Sequence, residues 1–233
     1  MKTDDIQKRL SDIGFDPGPV DGFYGIKTID AIKKFQSKNG LMVDGIPGPQ
    51  TIAKLFHSDQ IHDFEGVSRI DLVWLNEAIR LFGVTEKPGP GSNVEILDWA
   101  NDLSLPYHDD DIPWCGLFVA HCINATLPNE SLPSNPLKAR NWLRFGIKTA
   151  PTLGAVMVFW RGDIEGEKGH IGFYTGENDN SYRIIGGNQN DKVCFSYISK
   201  SRLLGSYWPS IIMLPEINKV KLANDQKLSW DEL

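Results

Sequence analysis

The run Asp110-Asp111-Ile112-Pro113-Trp114-Cys115-Gly116-Leu117-Phe118-Val119-Ala120 starts polar and ends apolar. It passes a proline suited to the first turn of a helix, with a cysteine directly behind it. At the start of a helix, unpaired backbone N–H groups and the helix dipole favour negative charge, so a thiolate is stabilised there. A thiol in mid-helix gains nothing of the kind. Cys115 is therefore expected as a nucleophile; the alternative is a small apolar residue filling core.

A thiol nucleophile needs a base to take its proton and return it to the leaving group. Five histidines are available. His57 and His62 flank a stretch without periodicity, and His108 sits in an acidic loop. His121, six residues after Cys115, points about 240° away round the helix. His170 fits. In Gly169-His170-Ile171-Gly172-Phe173-Tyr174 the alternation puts His170 and Gly172 on one strand face, Ile171 and Phe173 on the other. Gly172 would let the cysteine helix approach. The next strand, Tyr182 to Asn190, offers a polar residue to orient the imidazole. Parity and the two preceding glycines favour Asn188, with Gln189 and Asn190 left open.

Around this pair the order is helices first, then strands. Ser68-x-x-Asp71 and Ser92-x-x-Glu95 read as capping boxes opening helices, the first carrying Leu72, Leu75, Ile79 and Phe82. The Cys115 helix follows, and a further helix is expected over Leu137–Phe145. Strands are expected at Ala155–Trp160, His170–Thr175, Ser181–Ile185, Val193–Ile198 and Tyr207–Leu214. This is an α+β layout with an antiparallel sheet.

The sequence of helix-borne Cys, strand-borne His and a polar residue on the following strand resembles the NlpC/P60 and CHAP cysteine peptidases and amidases, a papain-like fold. Gly83-Val84-x-Glu86-x-Pro88-Gly89, Pro113-Trp114-Cys115-x-x-Phe118-Val119, Gly169-His170-Ile171-Gly172-Phe173 and Gly186-Gly187-Asn188-Gln189 resemble phage-type cell-wall hydrolases in particular. The resemblance runs from about residue 70 to 213. It implies attack of Cys115 on a peptidoglycan amide carbonyl, His170 as base then acid, Asn188 holding the imidazole, and the Cys115 N–H as an oxyanion donor. Trp114 is the expected substrate contact beside the nucleophile.

Residues 3–57 carry an internal repeat. Asp21-Gly22-x-x-Gly25-x-x-Thr28 recurs as Asp44-Gly45-x-x-Gly48-x-x-Thr51, 23 residues later. Each copy follows one helical pattern and opens another: Ile6, Leu10, Ile13, then Ile29, Ile32, Phe35, then Ile52, Leu55. Aspartate and threonine can hydrogen-bond free N–H groups in the turn and at the helix start. With Gly14-Phe15, Phe35-Gln36 and Gly40-Leu41, the series resembles the three-helix peptidoglycan-binding domain type 1. That resemblance implies binding of cell-wall glycan and peptide, with Phe23 and Tyr24 as the candidate contacts.

The expected organisation is a small three-helix bundle over 1–57, a linker over 58–67, a cysteine amidase or peptidase domain over 68–216 and a loosely held polar tail over 217–233. A net charge of −6 argues against nucleic acid as a partner. Residues 1–57 hold 8 Lys+Arg and 7 Asp+Glu, which leaves 16 against 23 for the rest. The longest apolar run, Leu153–Trp160, is too short to insert in a membrane. Three cysteines make no disulfide framework. Asp109-Asp110-Asp111 lack the spread of a calcium loop, and no zinc-ligand spacing occurs, so neither metal nor cofactor is expected. Glu86 and Glu95 as a glycosidase pair, or a wall-binding protein without catalysis, are the rival readings. Bacterial peptidoglycan is the expected partner of a monomer. Without an apolar leader, accumulation in a host cytoplasm before action on the wall is expected.

Overall fold

The computed structural model describes residues 3–47, 49–56 and 72–222. The chain divides into two units, Met1–Gly66 and Val67–Leu233. The expected linker and the Ser68–Asp71 capping box lie outside the described residues.

The first unit has helices α1 (Thr3–Asp12), α2 (Ile26–Lys38) and α3 (Pro49–Phe56). Ile6, Leu10, Ala31, Ile32, Phe35 and Leu55 form its core, and burying each large side chain contributes about 1.5–3 kcal/mol. Gly14 and Gly40 end the first two helices in the left-handed conformation, φ 85° and 65°. Behind them Phe15 N–H donates to Leu10 O and Leu41 N–H to Gln36 O, satisfying carbonyls the helix leaves open.

The second unit combines α4 (Val73–Arg80), α5 (Val94–Asp102), α6 (Cys115–Thr126) and a 3₁₀ helix (Ala139–Arg144) with a sheet. Its strands are β1 (Ile147–Lys148), β2 (Val156–Trp160), β3 (Gly169–Glu177), β4 (Ser181–Gly186), β5 (Cys194–Ser199) and β6 (Leu203–Trp208). The order is β1-β6-β2-β3-β4-β5, with every pairing antiparallel. Helix α6 is buried nearly all round, against α4, α5, β3 and β4. Gly116 lets it seat: a Cβ there would stand 2.2 Å from Pro136 O and 2.7 Å from Leu137 O. No helix among the described residues is long and apolar enough to cross a membrane.

Several local expectations are corrected. The cap of α5 is Asn93, whose side chain accepts from Glu95 N–H at 2.9 Å, while Ser92 Oγ turns to Asp109 and Asp110. The 137–145 segment winds as a 3₁₀ helix, because Trp142 and Phe145 bury while the Trp142 indole donates to Pro136 O at 2.9 Å. The last strand starts four residues early and stops at Trp208, since Pro209 has no N–H to continue a ladder. Residues 218–222, expected to be loose, are docked: Leu153 N–H donates to Asn218 O, Glu177 N–H to Val220 O and Leu222 N–H to Glu177 O. Residues 223–233 lie outside the described residues.

Candidate active site

Cys115 is the first residue of α6, with Pro113 just outside the helix and Trp114 at the cap. The first-turn N–H groups have no intrahelical partner. Cys115 is 6% exposed and lines a cavity of about 520 Å³ together with Pro113, Leu137, Lys138, Arg161 and Gly169. Gly169 is the residue before His170, and β3 packs against α6. Two elements distant in sequence thus meet at one cleft. Cys122, two turns along, is fully buried, and burial pushes its thiol well above the ordinary value. None of the three cysteines forms a disulfide.

His170 is buried on β3, opposite Phe159 of β2. Its Nε2 lies 3.0 Å from Gln189 Oε1. The amide of Gln189 is oriented by its other end: Nε2 donates to Gly186 O at 3.1 Å and to Cys194 O. The oxygen must therefore face the imidazole, and His170 Nε2 must carry the hydrogen. In the neutral ring, Nδ1 is then the basic nitrogen.

This corrects the assignment of Asn188. Its Nδ2 donates to Glu86 Oε1 at 2.7 Å instead. Strand parity cannot reach position 188, because β4 ends at Gly186 and the chain turns sharply. Asn188, Asn190 and Asp191 all take left-handed φ, 55°, 50° and 57°, a conformation short polar side chains tolerate best. The turn swings Gln189 in and Asn188 out. The glycines also act differently from expectation. A Cβ on Gly172 would meet Ile185 O at 2.7 Å, so Gly172 serves the β3–β4 pairing. Gly187 is the one that admits the helix, for a Cβ there would lie 2.5 Å from the Trp114 ring and 2.6 Å from Phe118 Cβ.

Trp114, expected at the substrate, is corrected too: its side chain is fully buried, tilted against the Trp99 ring and close over Gly187, and its Nε1 donates to Glu86 Oε1 at 2.7 Å. Glu86 lines a second cavity of about 550 Å³ with Asp111, Arg161, Asn188, Asn190 and Asp191. Burial raises its pKa, its bond from Trp114 opposes that, and Asp191, Asp110 and Asp111 add to the rise. Arg161 lines both cavities. The side-chain oxygens of Asp109, Asp110 and Asp111 fall within 4.8 Å of one another. Asp110 is buried, however, and one of its oxygens already accepts from Lys87 N–H and Asn93 N–H. That carboxylate ties down the loop carrying Glu86.

In the first unit the repeat is built around two glutamines. Gln7 Nε2 donates to Asp21 Oδ1, Phe23 O and Thr28 Oγ1 at 3.0–3.1 Å, while its Oε1 accepts from Asp21 N–H and Gly22 N–H. Gln36 does the same for Asp44, Ile46 O and Thr51, and accepts from Gly45 N–H. The threonines hydrogen-bond these glutamines, and Thr28 donates to Pro17 O, where a helix-start N–H was expected as partner. Gln7 and Phe23 N–H hold the Asp21 carboxyl below its ordinary value. Phe23 is 77% exposed; Tyr24 is 40% exposed, and its hydroxyl donates to Gly45 O of the second turn.

Residues 3–55 match the peptidoglycan binding domain family. Among curated proteins, the N-acetylmuramoyl-L-alanine amidase CwlM of Mycobacterium tuberculosis is 45% identical over 51 residues, 22% of this chain and 13% of that protein. The N-acetylmuramoyl-L-alanine amidase CwlL of Bacillus licheniformis is 45% identical over 56 residues, 22% and 16%. A spore cortex-lytic enzyme of Bacillus cereus is 47% identical over 47 residues, 20% and 18%. The chain spans less than a fifth of the length of each of these relatives. The N-terminal unit is thus similar to peptidoglycan-binding domains over nearly its whole described length.

Proposed function

We propose that the chain is a modular peptidoglycan hydrolase, in which the N-terminal unit holds the wall and the C-terminal unit cuts an amide bond through Cys115. The observation that carries this reading is that Cys115, the first residue of α6, shares a cleft with Gly169, whose buried neighbour His170 is anchored by Gln189. The resemblance to NlpC/P60 and CHAP enzymes points the same way, with Gln189 in the orienting position. The exposed apolar side chains Val20, Phe23 and Ile26, with Val43 and Ile46, fall in and beside the two repeated turns and fit a wall-binding face.

In the proposed reaction His170 Nδ1 takes the thiol proton and the sulfur bonds to the amide carbonyl carbon. Helix-start N–H groups receive the developing oxyanion. The C–N bond then breaks, the imidazolium protonates the leaving amine, and a thioester remains. Water, deprotonated by the same imidazole, attacks the thioester carbon; the acid is released and the thiol restored. The bond is either the muramoyl–L-alanine amide or one inside the stem peptide. The proposed setting is a phage endolysin, held in the host cytoplasm until the membrane is breached.

Purified peptidoglycan digested with the full chain should yield new amino groups, with the bond identified by mass spectrometry. Cys115→Ala should lower the rate at least about 10⁴-fold while binding to the wall persists. Undiminished lysis by that variant would overturn the cysteine mechanism. New reducing sugar ends would instead support a glycosidase.

A further inference from the structure

We infer that Glu86 is a positioning residue for the Cys115–His170 pair, clamping both halves of the site on one carboxylate oxygen; this rests on Cys115 being the nucleophile. Oε1 of Glu86 accepts from Trp114 Nε1 and from Asn188 Nδ2, each at 2.7 Å. Trp114 directly precedes Cys115, and Asn188 directly precedes Gln189, the partner of His170. One oxygen therefore joins the residue behind the nucleophile to the residue behind the imidazole's anchor. Bonds to a charged acceptor are short and directional, which suits them to fixing such a spacing.

Glu86 is itself held. Its N–H donates to Asp191 O at 2.8 Å, and Thr85 Oγ1 donates to the same oxygen at 3.0 Å. Asn93 Nδ2 donates to Thr85 O at 2.7 Å, and Asp110 accepts from Lys87 N–H and Asn93 N–H. The Glu86 loop is thus bonded to both ends of the turn that delivers Gln189. That turn keeps left-handed backbone at Asn188 without a glycine, a conformation that persists where surrounding contacts impose it. Asp111, Asp191 and Arg161 share the cavity that Glu86 lines, and it is Glu86 that bonds both Trp114 and Asn188.

The test uses the full chain and two readouts: turnover of a purified muropeptide, and the rate at which iodoacetamide alkylates Cys115, which needs no substrate. Glu86→Ala should lower kcat about 10- to 100-fold with KM nearly unchanged, and slow alkylation in parallel. Glu86→Gln keeps an oxygen able to accept both N–H groups and should recover most of both rates. Should Glu86→Ala not fold, Trp114→Phe and Asn188→Ala each remove one donor and should each lower kcat about 3- to 10-fold. Folded Glu86→Ala, or both single-donor variants, with kcat and alkylation within about twofold of the parent would overturn the clamp while a dead Cys115→Ala left the nucleophile standing. Hydrolysis surviving Cys115→Ala would overturn the nucleophile and the clamp with it.

Discussion

The two units are stabilised over different reaches of chain. In the first, each glutamine gathers a turn and a helix start that lie 14 to 21 residues away for Gln7, and 8 to 15 for Gln36. In the second, the candidate site is closed by bonds across 19 residues between His170 and Gln189, 28 between Glu86 and Trp114, and 102 between Glu86 and Asn188. Short-range networks leave a repeat in the sequence because each copy needs the same residues at the same local offsets. Long-range ones leave isolated letters, whose meaning depends on which strands and helices become neighbours. The first kind of site tolerates change elsewhere; the second transmits it.

That contrast can be broken most forcefully at Gly116. An added methyl would run into two backbone carbonyls that cannot rotate aside, so Gly116→Ala should cost about 3 kcal/mol in denaturant unfolding. It should also depress hydrolysis by shifting the helix under Cys115. A variant of parental stability would mean that α6 seats less tightly than its contacts state.

Next in size, Gln189→Ala should reduce kcat about 10²-fold, equivalent to about 2.7 kcal/mol, because the imidazole loses the acceptor that fixes its tautomer. Asn188→Ala should cost less. The reverse order would restore the assignment by strand parity.

Gln7→Ala and Gln36→Ala sharpen the other side. Each should destabilise the first unit by about 1–3 kcal/mol, and the two values should agree closely, since the networks match nearly bond for bond. Hydrogen exchange of the Gly22 and Gly45 amides in the full chain would register it, with the proposed turnover of soluble muropeptides unchanged.

The smallest effect belongs to Glu77, behind α6. Bonds from Arg80, then from His121, hold its carboxyl at about 2 against the cost of burial. A depressed carboxylate stabilises the fold above its unfolded value near 4.5, and that contribution fades as pH falls toward 2. Glu77→Gln should therefore be destabilised by under about 1 kcal/mol at pH 7, and the gap should close on acidification. A gap that widens at low pH would contradict the sign.

Much of the layout was legible in advance. Apolar periodicity outlined the helices, alternation outlined most strands, and the repeated Asp-Gly turns announced themselves. The part the glutamines play in those turns did not, because Gln7 stands 14 residues before its aspartate and Gln36 only 8, so the repeat's register does not include them. Asn188 escapes strand parity because the alternation of β4 ends at Gly186, ahead of a turn of left-handed residues. In the sequence Glu86 stands only within the Gly83–Gly89 motif and as half of a rival carboxylate pair; nothing local to it reveals two donors, one of them 102 residues away.

By itself, the sequence determined that a cysteine would open a helix, that a histidine would lie on a strand and that two matching turns would close a small helical unit. These follow from local backbone preference and side-chain periodicity, which act within a few residues. Only the tertiary structure decided which amide faces His170, which glycine makes room for Trp114 and which carboxylate joins them. Those choices depend on hydrogen-bond geometry to a few tenths of an ångström between segments that touch only after the sheet and α6 have packed.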